Sequence, residues 1–260
     1  MLEPGSTNRA DVRVQLCGRF AFIVAGRPAH ADLPGRQARM LLAYLAAHRD
    51  RPAARTQLLD DLWPDRAATA AGATLSVVLS KVRALIAPAE ISGRDALQLV
   101  LPADAIVDIE RAAEALHQAE SALAQGDFRG AWGPSLTAQL TAGRGFLVES
   151  DETWTGPIRA HVDLIHQRAL ACYAEACAAL GGTELPAAER AARRLVAQAP
   201  LSEIGYRLLM EVLAKRGDTA GALVVYEQLR HAVREELGVD PGPEVRLLHR
   251  QLLHATTDVD

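Results

Sequence analysis

Cysteine is nearly missing from this chain: Cys17, Cys172 and Cys177 are the only three in 260 residues. An odd, dispersed set builds no disulfide framework. The thiols therefore read as reduced, small and buried, and the expected compartment is the cytoplasm. Aromatics make up only 4% of the residues, while alanine, the best helix former, is abundant. Lysine occurs only at Lys81 and Lys215, so arginine supplies almost all positive charge, as a GC-rich coding bias or a binding role would each produce. No apolar run approaches the length of a membrane span. The opening stretch, MLEPGSTNRADVRVQLCGRF, has no charged segment leading into a long apolar core, so neither a membrane partner nor a signal peptide is expected. Catalytic signatures are missing too. There is no GxxxxGK[ST] loop and no HExxH, and GPSLT is not GxSxG. The eight histidines are scattered, and His161 and His166 fall on different helix faces. The acidic pairs Asp60-Asp61 and Glu235-Glu236 read as solvated, and Arg216-Gly217-Asp218 as a corner between helices. The expectation is a non-enzyme with no cofactor and no metal.

What is present is an ordinary globular composition, 49% hydrophobic and 23% charged, long enough for two cores. The net charge of −4 conceals an asymmetry. Residues 1–103 hold 13 Lys+Arg against 9 Asp+Glu, a net of +4; residues 104–260 hold 15 against 23, a net of −8. A basic front and an acidic back suggest different partners, and the front could meet a polyanion.

Residues 12–24, VRVQLCGRFAFIV, are β-branched and loosely alternating, and read as two strands around Gly18. Helical spacing follows over Arg36–His48 (apolar Met40, Leu41, Tyr44, Leu45) and over RTQLLDDLW (Leu58, Leu59, Leu62), which Pro64 ends. Trp63 reads as core. After the loop DRAATAAG a third helix spans about Ala73–Ile86. Leu75, Leu79, Val82 and Ile86 form its buried stripe. Ala73, Val77, Ser80 and Ala84 lie opposite, flanked by Ser76, Lys81 and Arg83. A solvated helix normally carries Glu, Lys and Arg there. This face is small and hydroxylated, so it is either covered by protein or pressed against another molecule. Residues 90–101 read as two short strands around the turn Gly93-Arg94-Asp95. Strands, three helices and a hairpin describe a winged helix-turn-helix, whose third helix enters the major groove of DNA while the hairpin follows the backbone.

From Asp108, a plausible N-cap, the chain is almost wholly helical, with candidates near 108–124, 157–180, 186–198, 202–215, 219–236 and 242–254. Glycine stands at several of the turns, as helix ends require. Gly181 to Gly217 is 36 residues, near the 34-residue tetratricopeptide period. Residues 128–157 read as a short helix plus loops. The predicted fold class is mainly α with a small β component: an N-terminal winged helix-turn-helix over 1–103, then a tetratricopeptide-like all-α domain over 104–260.

Two segments carry a family resemblance. They are LPGRQARMLLAYLAAHRDRPAARTQLLDDLWPD with ATLSVVLSKVRALI, and LLMEVLAKRGDTAGALVVYEQLRHAVREELGVDPGPEVRLLHRQLL, whose EELGVDPGPE (Glu235–Glu244) is the most specific piece. Together they resemble the Streptomyces antibiotic regulatory protein (SARP) family, over about residues 12–254. In that family an OmpR-type winged helix is joined to a helical bacterial transcriptional activator domain. The resemblance implies a transcriptional activator that binds repeats in promoter DNA. It also implies a helical half that contacts RNA polymerase and supports a homodimer. Recognition helices of the family usually present Asn, Gln, His or Arg outward; here those places read as Ala73, Ser76, Val78, Ser80 and Ala84.

The candidate DNA contacts are Lys81 and Arg83, with Val77 able to meet a thymine methyl and Ser76 or Ser80 able to bond a base or phosphate. Arg94 at the hairpin tip could reach phosphate or the minor groove. Arg55 and Thr56 open the second helix, where a phosphate can sit, although Thr56 also reads as a plain N-cap. Arg36, with Arg39, opens the first helix and could touch backbone. The other reading of the same residues is a degenerate winged helix serving as a protein-interaction module, a partner or antagonist of such regulators.

Overall fold

The computed structural model describes residues 11–257. Residues 1–10, on which the expectation of no signal peptide largely rests, lie outside the described residues. The chain divides into two compact units, one of Met1–Arg111 and Thr141–Asp163, the other of Ala112–Leu140 and Leu164–Asp260.

In the first unit β1 (Val12–Gln15) pairs antiparallel with β2 (Ala21–Val24), with Val14 opposite Phe22, and parallel with β6 (Ile106–Val107). Three helices follow: α1 (Gly35–Ala47), α2 (Arg55–Leu62) and α3 (Ala68–Leu85). The expected hairpin is β4 (Glu90–Ser92) with β5 (Ala96–Val100), and the two-residue strand β3 (Ala53–Ala54) adds to β5. Side chains alternate along this sheet as a pleat demands. Ile91, Leu97 and Leu99 are buried, while Glu90, Ala96 and Val100 face out.

Helix α3 begins five residues before the expected Ala73. Its first turn is Ala68-Thr69-Ala70-Ala71, and alanine's helix propensity outweighs the single Gly72. Its core stripe is as expected, with Leu75, Val82 and Ile86 fully buried and Leu79 nearly so. Helix α1 packs against α3 and β5, and its Leu41, Leu42 and Leu45 are buried. Tyr44 stacks edge-on to Trp154, with centroids 5.0 Å apart, and donates its hydroxyl to Asp61 at 2.7 Å. Asp61 is therefore engaged and half-buried, contrary to the expectation of a solvated acid pair. Burial, helped by Asp61, pushes the Tyr44 phenol well above its usual range. Trp63 is buried as expected.

Asp108 is the first residue of α4 (Asp108–Ala124) and its carboxylate accepts from the backbone N–H groups of Leu16 (2.8 Å) and Cys17 (3.0 Å). The helix start is thereby tied to the end of β1. Burial raises the pKa of this carboxyl above the ordinary range, against the lowering effect of those two N–H groups.

The second unit is built from helices. A single helix, α5 (Phe128–Ala142), occupies much of the segment expected to be mostly loop. Gly130, Gly133 and Pro134 hide it in the sequence. It is started by Asp127, whose side chain accepts from Gly130 N at 2.8 Å. Then come α6 (Thr155–Leu180), whose residues 155–163 belong to the first unit, α7 (Leu185–Gln198), α8 (Glu203–Lys215), α9 (Thr219–Leu237) and α10 (Pro243–Thr257). The last four pack as successive neighbours. Small residues let them approach: Ala188, Ala192 and Ala222 are fully buried, and a Cβ at Gly205 would lie 3.1 Å from the backbone nitrogen of Val196. Leu195, Tyr206, Leu209, Leu213, Val225 and Leu229 fill the core. The Arg216–Asp218 corner is structural, since Asp218 caps α9 by accepting from Gly221 N and Arg216 pairs with Glu189.

His249 of α10 stacks on Tyr226 of α9, centroids 3.8 Å apart and planes within 6°. Burial lowers its pKa; Arg230 acts in the same direction and Glu227 against it. The unfolded chain then takes up the proton first as pH falls. The stability from this contact is complete above the ordinary histidine value, about 6.5, and is lost as pH drops through it. Thermal melts across that range should show His249→Phe losing this part of the acid sensitivity; an unchanged slope would refute the assignment.

Candidate nucleic-acid interface

Each turn of α3 that buries a leucine or valine inward presents the opposite residues outward. Ala73, Ser76, Val77, Ser80, Lys81, Arg83 and Ala84 are all exposed, Val77 at 57%. Val78, which the sequence placed among the outward positions, is buried at 8% exposure. The reason is angular: three residues after Leu75 is only about 60° from it at the α period, inside the core arc.

The polar members of this face are largely engaged within the unit. Arg55 donates through Nη2 to Ser76 Oγ (2.6 Å) and to the Gly72 carbonyl (3.2 Å), while its backbone N–H donates to Asp95 O (2.9 Å). Ser76 also donates back to Gly72 O at 2.9 Å. One arginine thus joins the start of α2, the base of the hairpin and the middle of α3. Arg83 performs the same service for the wing: Nε donates to Ile91 O and Nη2 to Gly93 O, both at 3.0 Å. The Nε–Nη2 edge of the guanidinium is occupied by the hairpin's carbonyls.

Thr56 is exposed in the first turn of α2. The N-cap position belongs to Ala54, with no side-chain cap, so the cap reading of Thr56 fails. Arg36 pairs with Glu152 at 2.8 Å, and Arg39 is half-buried. Ser80, Lys81 and Arg94 remain outward; among the described residues Lys81 and Arg94 make no ion pair or side-chain hydrogen bond. Arg66, in the turn before α3, reaches Thr74 Oγ1 at 3.3 Å. It adds a cation beside this face that sequence reasoning missed; its only signal was its place just ahead of the third helix.

The arrangement is an exposed helix with an apolar centre, a lysine at its edge and an arginine-tipped hairpin latched beside it. It has no nucleophile–base pair, and among the described residues no three His, Cys, Asp or Glu side chains gather to hold a metal ion. No described helix is long and apolar enough to cross a membrane.

One unit is a winged helix and the other is built of stacked helix pairs. Residues 107–253 match the family described as "Bacterial transcriptional activator domain". The chain belongs to that family, and the proteins it resembles are regulators of the SARP type. The family consists of regulators, not enzymes. Similar proteins include the regulatory protein AfsR of Streptomyces griseus, 30% identical over 86% of this chain and 23% of its own length. The transcriptional regulatory protein EmbR of Mycobacterium tuberculosis is 26% identical over 92% of this chain and 62% of its own. The chain thus spans less than a quarter of AfsR and under two thirds of EmbR. A solved structure of Mycobacterium tuberculosis EmbR, in complex with a low-affinity phosphopeptide, has a TM-score of 0.82 at 23% identity, covering 96% of this chain and 66% of that one. That likeness is one of fold.

Proposed function

We propose that this chain is a DNA-binding transcriptional activator. Residues 1–103 dock on duplex promoter repeats, with α3 in the major groove and the β4–β5 hairpin along the backbone. Residues 104–260 serve as the helical half that contacts RNA polymerase and supports a homodimer. The setting is cytoplasmic. The observation that carries the reading is the exposed α3 face flanked by two cations, Lys81 and Arg94, that make no ion pair or side-chain hydrogen bond among the described residues. The negative charge of the helical half would keep that half off the duplex. Engagement of Arg55, Ser76 and Arg83 within the unit supports a division of labour. These residues hold the helix and wing in register, and Lys81 and Arg94 meet the phosphates.

The test is a duplex-binding titration of the full chain, using promoter DNA from its own gene neighbourhood, at several salt concentrations. Binding should fall steeply with salt as counterions released on association are put back. Lys81→Ala and Arg94→Ala should each weaken binding about equally on all sequences and reduce the log–log salt slope by about one. Absence of salt-sensitive binding would instead favour the protein-interaction module.

A further inference from the structure

If α3 lies in the major groove, the chemistry of its outer face dictates which base feature it can read. The strong readers of guanine and adenine are bidentate donors and acceptors: Arg or Lys on guanine, Asn or Gln on adenine. This face has no Asn or Gln, and its one lysine, Lys81, stands at the edge of the face and not at its centre. Its arginines are committed, Arg83 through Nε and Nη2 to Ile91 O and Gly93 O, and Arg55 through Nη2 to Ser76 and Gly72. Ser76 is held between the Arg55 guanidinium and the Gly72 carbonyl. What projects freely is an isopropyl group, Val77, 57% exposed, with Ala73, Ala84 and Ser80 around it and Lys81 at the edge.

The major groove offers one apolar feature to such a surface, the C5-methyl of thymine. We infer that this chain reads its DNA through thymine methyls packed against Val77, with Lys81 and Arg94 supplying phosphate affinity and Arg55 and Arg83 acting as positioning residues. This rests on the DNA-binding reading above and adds to it the feature that is recognised. Small neighbours are part of the device, because alanines on either side let the helix descend until a valine reaches a methyl group. Neither lone cations nor a small-residue stripe would specify this. The specification comes from the exposed valine at the centre of the face together with two arginines that Gly72, Ser76, Ile91 and Gly93 hold by Nε or Nη2.

The experiment selects preferred sites for the full chain from a randomised duplex library. Each thymine in the selected duplex is then replaced, one at a time, by deoxyuridine, which keeps every hydrogen-bonding group and lacks only the methyl. One or two positions should lose about fourfold in affinity, the factor expected for burying one methyl-sized group. Val77→Ala should show a similar loss on the thymine duplex and no further loss on the uracil duplex. Val77 is exposed, so the fold should survive, and an unchanged melting curve checks that. Selected sites indifferent to thymine-to-uracil exchange would overturn the inference while leaving DNA binding intact. So would a Val77→Ala protein that keeps both its affinity and its methyl dependence. If no salt-sensitive duplex binding occurs at all, the functional proposal itself fails, and the methyl inference with it.

Discussion

Leu75→Ala should unfold the winged helix at lower denaturant than any surface change in α3. Leu75 is fully buried, on the helix that packs against α1 and α2. Truncation removes three carbons from a close-packed site and leaves a cavity, for a cost of about 3 kcal/mol. A unit of this size has roughly 5–15 kcal/mol in total, so the loss is a large share of its stability. Val77→Ala, one face away, should change stability by no more than about 0.5 kcal/mol. Chemical denaturation followed by circular dichroism compares the two. Equal midpoints for both variants would mean that α3 does not have the inside and outside assigned to it.

The same helix shows what the sequence could and could not reveal. Its inner stripe was legible because leucine and valine recur at the α period, and that stripe alone fixes which side faces outward. The hairpin was legible from Gly93-Arg94-Asp95 between alternating apolar residues. The start of α3 was not, because a run of alanine and threonine after a proline carries no apolar periodicity. Nor was α5: glycine and proline inside a helix read as loop, and only the Asp127–Gly130 cap, repeated as Asp218–Gly221 before α9, would have exposed it. β3 and β6, at two residues each, are too short for a pattern. For the candidate site the legible part was position and the illegible part was partnership. Arg55, Arg83 and Arg36 looked like free cations in one dimension, and the fold gives each a carbonyl, hydroxyl or carboxylate 17 to 116 residues away or a nearer strand to hold.

Gly93→Val should disable the wing. Gly93 has φ +85°, a region that β-branched residues enter only with strain. A Cβ there would also run into the carbonyl oxygen of Ala96, a backbone atom that cannot turn aside. Strain of this kind costs about 1–3 kcal/mol before the collision is counted, so the hairpin must open rather than accommodate the valine. Opening moves the Gly93 carbonyl, which is the acceptor for Arg83 Nη2. The latch between α3 and the wing is then lost together with the placement of Arg94. Two readouts follow. Backbone amides across 90–100 should exchange with solvent faster, while those of α7–α9 keep their protection. On the DNA-binding reading, affinity should fall further than in Arg94→Ala, which removes one charge and leaves the turn intact. If Gly93→Val binds as Arg94→Ala does, or better, the wing contributes only its charge and the Arg83 latch has no part in presenting it.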